Sequence, residues 1–386
     1  MSSRKKFFYL SPYDLQRPRT NQVSDMRFCE AFAQNDFEVE IICPTVQRKD
    51  NLEQEKIRDY YELDTVFDIH FLNTSYLHEN LRKTAYLRLS WKGFQRVRKQ
   101  QVSETMYVCS RSEIMLLFCL LYKKLFFKKN WKIIPWLHEL KSGQMHRWVY
   151  RRSDYILATN SNILEDLNTH LKIHQPGGIT LNPISRRQAQ QIPDRKKARE
   201  IIGYHDEQFL VVYTGKLYRQ QREIELLIQC AQQLPEINFL FTGGKPEVVE
   251  YYHDYFQKKQ IQNIRLSGYL PDYRSIKYYQ QAADLLVSYY TAEEHALRYN
   301  LPNKLAEYFL SGNPVVTPFY EATKDFLNSE IAFEVAAENP IRLAEEIRAL
   351  KEDSKKRNLL AQKALEYAQR EHYQVRVQEI IRQLKL

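Results

Sequence analysis

"LPNKLAEYFLSGNPVV" occupies residues 301–316. Its spacing predicts a helix that turns sharply into a buried strand. Pro302 suits a first helical turn, where its missing N–H costs nothing. Gly312 stands where a helix stop is expected, and Pro314 prevents continuation. At the helical period, Leu305, Ala306, Phe309 and Leu310 share one face, and Lys304, Glu307, Tyr308 and Ser311 share the other. The charges run against the helix dipole, with Lys304 near the N-terminus and Glu307 one turn later. This is also the poorer order for a helical ion pair. Stability alone favours the reverse, so the pair suggests a ligand.

Outward from this stretch, short apolar runs alternate with helical patterns along the whole chain. The first half holds candidate strands at 6–11, 39–44, 66–72, 106–110, 132–138 and 155–160. The second half holds them at 209–215, 237–244, 263–270, 284–290, 313–318 and 331–336. Apolar strands bounded by turns, with helices between, indicate parallel sheets covered on both faces. Two such series predict an α/β protein with two doubly wound, Rossmann-like domains facing a cleft. Ligands in such folds sit at the carboxyl ends of the strands. The polar segment 182–197 reads as the join, and 354–386 as one long charged helix. The expected division is 1–184, 185–365 and a final helix, 366–386, returning to the first domain.

The 386 residues suffice for two or three domains, and 44% hydrophobic with 13% aromatic residues supports packed cores. No window of 18 residues is apolar enough to span a bilayer, and "MSSRKKFFYLSPYD" lacks a signal-peptide core. Five scattered cysteines without a CxxC argue against a disulfide framework or a zinc site. They fit a reducing, cytoplasmic compartment. The net charge of +10 is uneven: residues 1–182 carry 28 Lys+Arg against 20 Asp+Glu, and the rest 29 against 27. Two basic-aromatic runs, 81–103 and 122–132, concentrate it. Drawn as a helix, the first aligns Arg88, Lys92, Arg96 and Lys99, with Gly93 interrupting. Such runs suit a solvated surface or the inner, anionic face of a membrane. Nucleic acid is the weaker alternative.

Candidate chemistry gathers at strand ends of the second half. "GKLYRQQRE" (215–223) puts Gly215, Lys216, Arg219 and Arg222 at a strand-to-helix turn. A helix N-terminus with added cations makes a diphosphate clamp. Neither GxxxxGK[ST] nor GxGxxG is present, which argues against a Walker site and a nicotinamide dinucleotide. Gly243, in "FTGGKPE" (241–247), permits close backbone approach. Gly268 and Tyr269 offer backbone hydrogen bonds and an aromatic face for a base.

A strand ending in Thr-Gly-Lys-Leu, then "LSGYLPD", "AADLLVSYY" and "PNKLAEYFLSGNPVV", resembles the nucleotide-binding half of family 4 retaining glycosyltransferases, which have the GT-B fold. These elements cover residues 205–335, and "CEAFAQNDFEVEIICP", "PWLHEL" and "SDYILATNSNILEDL" extend the likeness to the first half. The resemblance implies a nucleotide-sugar donor on the C-terminal domain and a glycan or lipid-linked acceptor on the N-terminal one. It implies that Glu307 accepts hydrogen bonds from the donor ribose, and that Asn303 and Lys304 face the diphosphate. Arg222, with Lys216 or Arg219, would stabilise the leaving group. His138 matches a family histidine near the reacting sugar. It further implies front-face transfer with retention, no metal and no cofactor beyond the donor substrate, in polysaccharide or glycolipid synthesis.

Three positions depart from that pattern. Tyr299 stands where the family often has a glutamate eight residues before Glu307; Glu293 and Glu294 lie further back. The usual Arg-then-Lys pair five residues apart is not matched: position 221 is Gln221, and Arg222 is one further on. The loop 11–25 lacks paired glycines, though Asn21 is available there. Rival readings are a non-catalytic sugar-nucleotide-binding subunit, a nucleotide-sugar epimerase and a DNA-modifying transferase.

Overall fold

The computed structural model describes residues 5–15, 20–45, 54–74, 83–100, 105–181, 194–205, 208–270, 272–291 and 298–386. It divides into two units. The first comprises residues 1–187, 299–301 and 372–386, and the second 188–298 and 302–371. Most of the sequence-derived join, 182–197, lies outside the described residues, as do Glu293 and Glu294.

The first unit is built on seven parallel strands: β1 (Lys6–Leu10), β2 (Glu38–Thr45), β3 (Asp68–Asn73), β4 (Met106–Ser110), β5 (Trp131–Leu137), β6 (Ile156–Ala158) and β7 (Gly177–Ile179). Their order is β3-β2-β1-β4-β5-β6-β7. Successive residues serve opposite faces, as strand geometry requires. Phe7 and Tyr9 enter one core, with Phe28, Phe32 and Trp136; Phe8 and Leu10 enter the other, with Leu89, Phe94 and Met115. Phe7 stacks on Phe32 at 3.9 Å and Phe28 on Trp136 at 4.2 Å.

The second unit repeats the plan with six parallel strands: β8 (Leu210–Thr214), β9 (Asn238–Thr242), β10 (Ile264–Gly268), β11 (Leu285–Val287), β12 (Val315–Thr317) and β13 (Phe333–Glu334). Their order is β10-β9-β8-β11-β12-β13. In both sheets the order reverses beside the first strand, between β1 and β4 and between β8 and β11. That reversal opens a crevice at the carboxyl ends of the strands.

Twelve of these strands coincide with the apolar runs of the sequence. β7 does not, because "GGI" carries no strand signal. Its composition has a steric cause. A Cβ on Gly177 would lie 2.9 Å from the Ile156 carbonyl oxygen and 3.1 Å from Leu164.

Three local expectations are corrected. The C-terminal segment is two helices, Ser354–Arg370 and Tyr373–Leu384, not one. The break coincides with the passage of the chain from the second unit to the first. There Tyr373, Val377, Ile380 and Leu384 enter the core. Gly93 does not interrupt its helix, Lys83–Lys99. It is buried where a Cβ would meet Leu10 at 3.4 Å and Met115 at 3.6 Å, so it lets the helix pack closely. The basic stripe of that helix is not uniform. Arg96 pairs with Glu40 at 2.7 Å and Lys92 donates to the Asn73 carbonyl at 2.6 Å, while Arg88 and Lys99 are exposed.

Candidate functional site

The opening stretch forms the helix Asn303–Leu310, with Pro302 at its N-cap, and then β12. Of its apolar face, Leu305, Phe309 and Leu310 are buried and Ala306 is half-buried. Tyr308, however, lies not on the polar face but fully inside the unit. The Thr214 N–H donates to its hydroxyl at 2.9 Å, and the Thr214 hydroxyl lies 3.1 Å away. The Tyr308 hydroxyl also approaches the Val287 carbonyl at 3.4 Å. It therefore occupies the gap between β8 and β11 and pins the helix to the reversal point. The helix N-terminus and its dipole are thereby aimed at that crevice.

The pin places Lys304 above Gly215. A Cβ at Gly215 would lie 3.0 Å from Lys304 Nζ. The ammonium lies 4.1 Å from the centre of the Tyr213 ring and 4.8 Å from that of Tyr290. These rings come from the two strand ends that flank the reversal. Burial pushes the Lys304 pKa down to about 7, against the attraction of Glu223 and Glu307. The aromatic faces hold a half-buried cation that hydration stabilises only in part. One turn on, Glu307 accepts from Gln280 Nε2 at 3.1 Å. Asn303 opens the same helix and is half-buried.

Three predicted glycines come together beneath this helix. The Gly215 N–H donates to the Thr242 carbonyl, and the Gly243 N–H to the Gly268 carbonyl, each at 3.0 Å. A Cβ on Gly243 would fall 1.9 Å from the Gly215 oxygen, so no other residue fits there. Gly268 has φ of 73°, the left-handed region that glycine enters freely. Tyr269 follows it with its ring exposed. Backbone can thus be approached closely along the ends of β8, β9 and β10.

The three cations after β8 diverge. Arg219 donates to the Glu247 carbonyl at 2.8 Å and lies over the Tyr251 ring. Arg222 opens the helix Arg222–Gln232 and pairs with Glu338 at 2.9 Å, both accessible to solvent. Lys216 is exposed; its carbonyl accepts from the Tyr213 hydroxyl at 3.4 Å, and its ammonium has no partner among the described residues. Reasoning from sequence passed over Glu223, which accepts from the Thr291 hydroxyl at 3.2 Å and faces Lys304. It also passed over the two flanking tyrosines. The adjacency of "YTG" and "SYY" to strand ends was the available signal for them.

His138 belongs to the first unit, just beyond β5. Its Nε2 is buried without a hydrogen-bond partner, and its ring lies 4.7 Å from that of Trp136. Burial, then the Arg111 and Lys141 cations, holds its pKa well below the usual range, so the imidazole is neutral. Nearby, at the reversal between β1 and β4, Asp25 is fully buried. It accepts from the Tyr9 hydroxyl at 2.8 Å and pairs with Arg111 at 2.8 Å. Burial raises its pKa to about 6, against the pull of Arg111, Tyr9 and Ser11. Sequence alone did not reveal this pair, whose members are remote in the chain. Among the described residues no group of three or more His, Cys, Asp or Glu is placed to hold a metal ion.

Known proteins fit this geometry. Residues 219–382 match the family model described as Glycosyl transferase-like. A glycosyltransferase from Rickettsia africae superposes with a TM-score of 0.74 at 12% identity, over 99% of this chain and 98% of that one. The Anabaena protein Alr3699/HepE, solved in complex with UDP and glucose, superposes at 0.70 and 15% identity, over 99% and 100%. The chain therefore has the GT-B glycosyltransferase fold. An alpha-galactosylglucosyldiacylglycerol synthase of Streptococcus pneumoniae is 26% identical over 107 residues, 26% of this chain. That match spans only 28% of the relative's own length.

Proposed function

We propose that this GT-B protein transfers a sugar from a nucleoside diphosphate to a glycan or lipid-linked acceptor, with retention of configuration. The observation that carries the reading is Lys304, held between Tyr213 and Tyr290 above the glycines at the reversal point. A half-buried cation at a helix N-terminus, beside open backbone, suits a diphosphate. Glu307 is the acceptor for the ribose hydroxyls. Tyr269 offers its ring to the base. Lys216 and Arg222 balance charge on the leaving diphosphate, so the chemistry proceeds without a metal or further cofactor. His138, neutral and in the first unit, keeps the role beside the reacting sugar that the resemblance implies. The family match, a solved neighbour with UDP and glucose, and a glycolipid synthase among the relatives support this class of reaction. Five free, buried cysteines suit a cytoplasmic setting.

Titration calorimetry with UDP, GDP, ADP and their sugar conjugates tests the reading. We expect one base to bind and its sugar conjugate to be consumed only with an acceptor. Absence of binding by all three nucleotides would overturn it. A second reading, nucleotide binding without transfer, is favoured by the engagement of Arg219 and Arg222 elsewhere. Binding with no diphosphate release across glycan and lipid acceptors would select it.

A further inference from the structure

The first unit exposes a cluster of apolar side chains that its own packing does not use. The helix Glu113–Leu125 ends in "LYKKLFFKK", residues 121–129. Leu125 is 68% exposed, Phe126 60% and Phe127 84%. Leu121, one turn back, is exposed as well. On the adjacent helix, Lys83–Lys99, Trp91 is 46% exposed. Ring contacts join the two ends of the cluster. Trp91 meets Phe94 at 5.3 Å, Phe94 meets Tyr122 at 5.3 Å, and Tyr122 meets Phe126 at 4.7 Å.

The backbone at the tip is unusual for a fold governed by stability alone. Phe126 caps the helix, and the Lys128 N–H reaches back to the Lys123 carbonyl at 3.1 Å. This is the helix stop in which glycine takes the left-handed position. Phe127 holds it here, at φ of 49°, with its ring in solvent. Backbone strain and apolar exposure are thus both accepted at one residue.

The surroundings are basic. Neither 83–100 nor 114–132 contains Asp or Glu, and they hold six and five Lys+Arg. Some of these are used within the unit: Lys123 by Asp154 and Arg96 by Glu40. Lys124, Lys128, Lys129, Arg88 and Lys99 have no acidic partner among the described residues. Arg98 lies over the Tyr122 ring at 5.4 Å.

We propose that the tip 121–129, with the Trp91 face beside it, docks the protein on an anionic lipid bilayer. Protruding Leu and Phe insert into the acyl boundary, while flanking lysines meet lipid phosphates. The site differs from the stripe drawn on residues 81–103, two of whose cations are engaged within the unit. A second copy is a poor occupant, since two such basic surfaces repel. Duplex nucleic acid would use the lysines but has no place for exposed Leu121 and Leu125. The proposal stands apart from sugar transfer: a chain that bound no nucleotide would still bind the membrane.

Sedimentation of the whole protein with vesicles tests it. Mixed phosphatidylglycerol–phosphatidylcholine vesicles should carry it down, and pure phosphatidylcholine should not. Converting Lys124, Lys128 and Lys129 to Gln should weaken binding about a hundredfold. Phe127→Gly should weaken it about tenfold without lowering the unfolding temperature, because glycine suits the left-handed position. The proposal is overturned if phosphatidylglycerol vesicles leave the protein in solution, or if pure phosphatidylcholine binds equally. It is also overturned if both variants bind as the parent does, or if duplex DNA displaces the protein from the vesicles.

Discussion

Lys304 Nζ lies 4.1 Å from the centre of the Tyr213 ring, at the end of the strand that opens the second unit's sheet. A cation so placed is partly dehydrated and only partly compensated. Below its folded pKa of about 7 it is charged and its burial is fully felt. The unfolded chain holds that proton up to the ordinary lysine range. Between the two pKa values the unfolded state binds more protons, so stability rises with pH across that window. Lys304→Met removes the charge and keeps the stem. We expect it to raise the unfolding temperature at pH 6, by about 2–4 °C per kcal/mol recovered. The advantage should shrink at pH 9. An equal gain at both pH values would show that charge burial is not the cause. The same variant should lose nucleoside diphosphate affinity.

Diphosphate binding should also move protons. An anion beside Lys304 favours its charged form and raises its pKa. Above pH 7, therefore, binding takes up a proton, and affinity falls as pH rises. Calorimetry of the nucleotide identified above, at pH 8 in two buffers of different ionisation enthalpy, reads this directly. Buffer-independent heats would remove Lys304 from the diphosphate site.

Gly243 and Gly203 separate close approach from conformational preference. Both have positive φ, 131° and 66°. A Cβ at Gly203 meets nothing within 4 Å, whereas at Gly243 it strikes the Gly215 carbonyl. Gly203→Ala should cost about 1–2 kcal/mol, the left-handed penalty alone. Gly243→Ala should cost clearly more and disorder the strand ends. Denaturant unfolding of the two variants compares them; equal losses would mean that the β8–β9 edge relaxes easily.

Much of this was legible in the sequence, for physical reasons. Strands buried on both faces must be apolar throughout, so twelve runs stood out. β7 escaped because close approach to Ile156 demanded glycine, which erases the strand signature. At the candidate site the helix and its charged pair are legible, but the helical period places Tyr308 on the polar face, whereas the structure buries it. Its aromatic bulk is buried and its hydroxyl is satisfied by Thr214, a partner 94 residues away. The Asp25–Arg111 pair and the approach of Glu223 to Lys304 are likewise products of topology. Neither has a local spacing to betray it.

Glu307→Gln should spare the fold, because an amide can still meet Gln280. It removes a charged acceptor, and hydrogen bonds to charged groups are worth roughly 1.5–3 kcal/mol. Nucleotide affinity should fall by about one to two decades. Unchanged affinity in calorimetry, at unchanged stability, would sink the ribose assignment.

Arg222 tests the leaving-group role. In the structure it opens its helix and pairs with Glu338 at 2.9 Å, in an accessible position. Exposed pairs contribute little, so Arg222→Ala should change stability by less than about 1 kcal/mol. Charge on the departing diphosphate grows in the transition state and is smaller in the bound donor. A group that meets it there raises turnover more than it tightens donor binding. Removing Arg222 should therefore lower kcat by about a hundredfold or more, with KM for the donor nearly unchanged. Glu338→Gln provides the control, since it frees Arg222 from its partner while keeping its charge. That variant should keep or raise kcat. Steady-state kinetics on the two variants decide the matter. A loss confined to KM in Arg222→Ala would make it a ground-state contact and leave Lys216 to balance the leaving group.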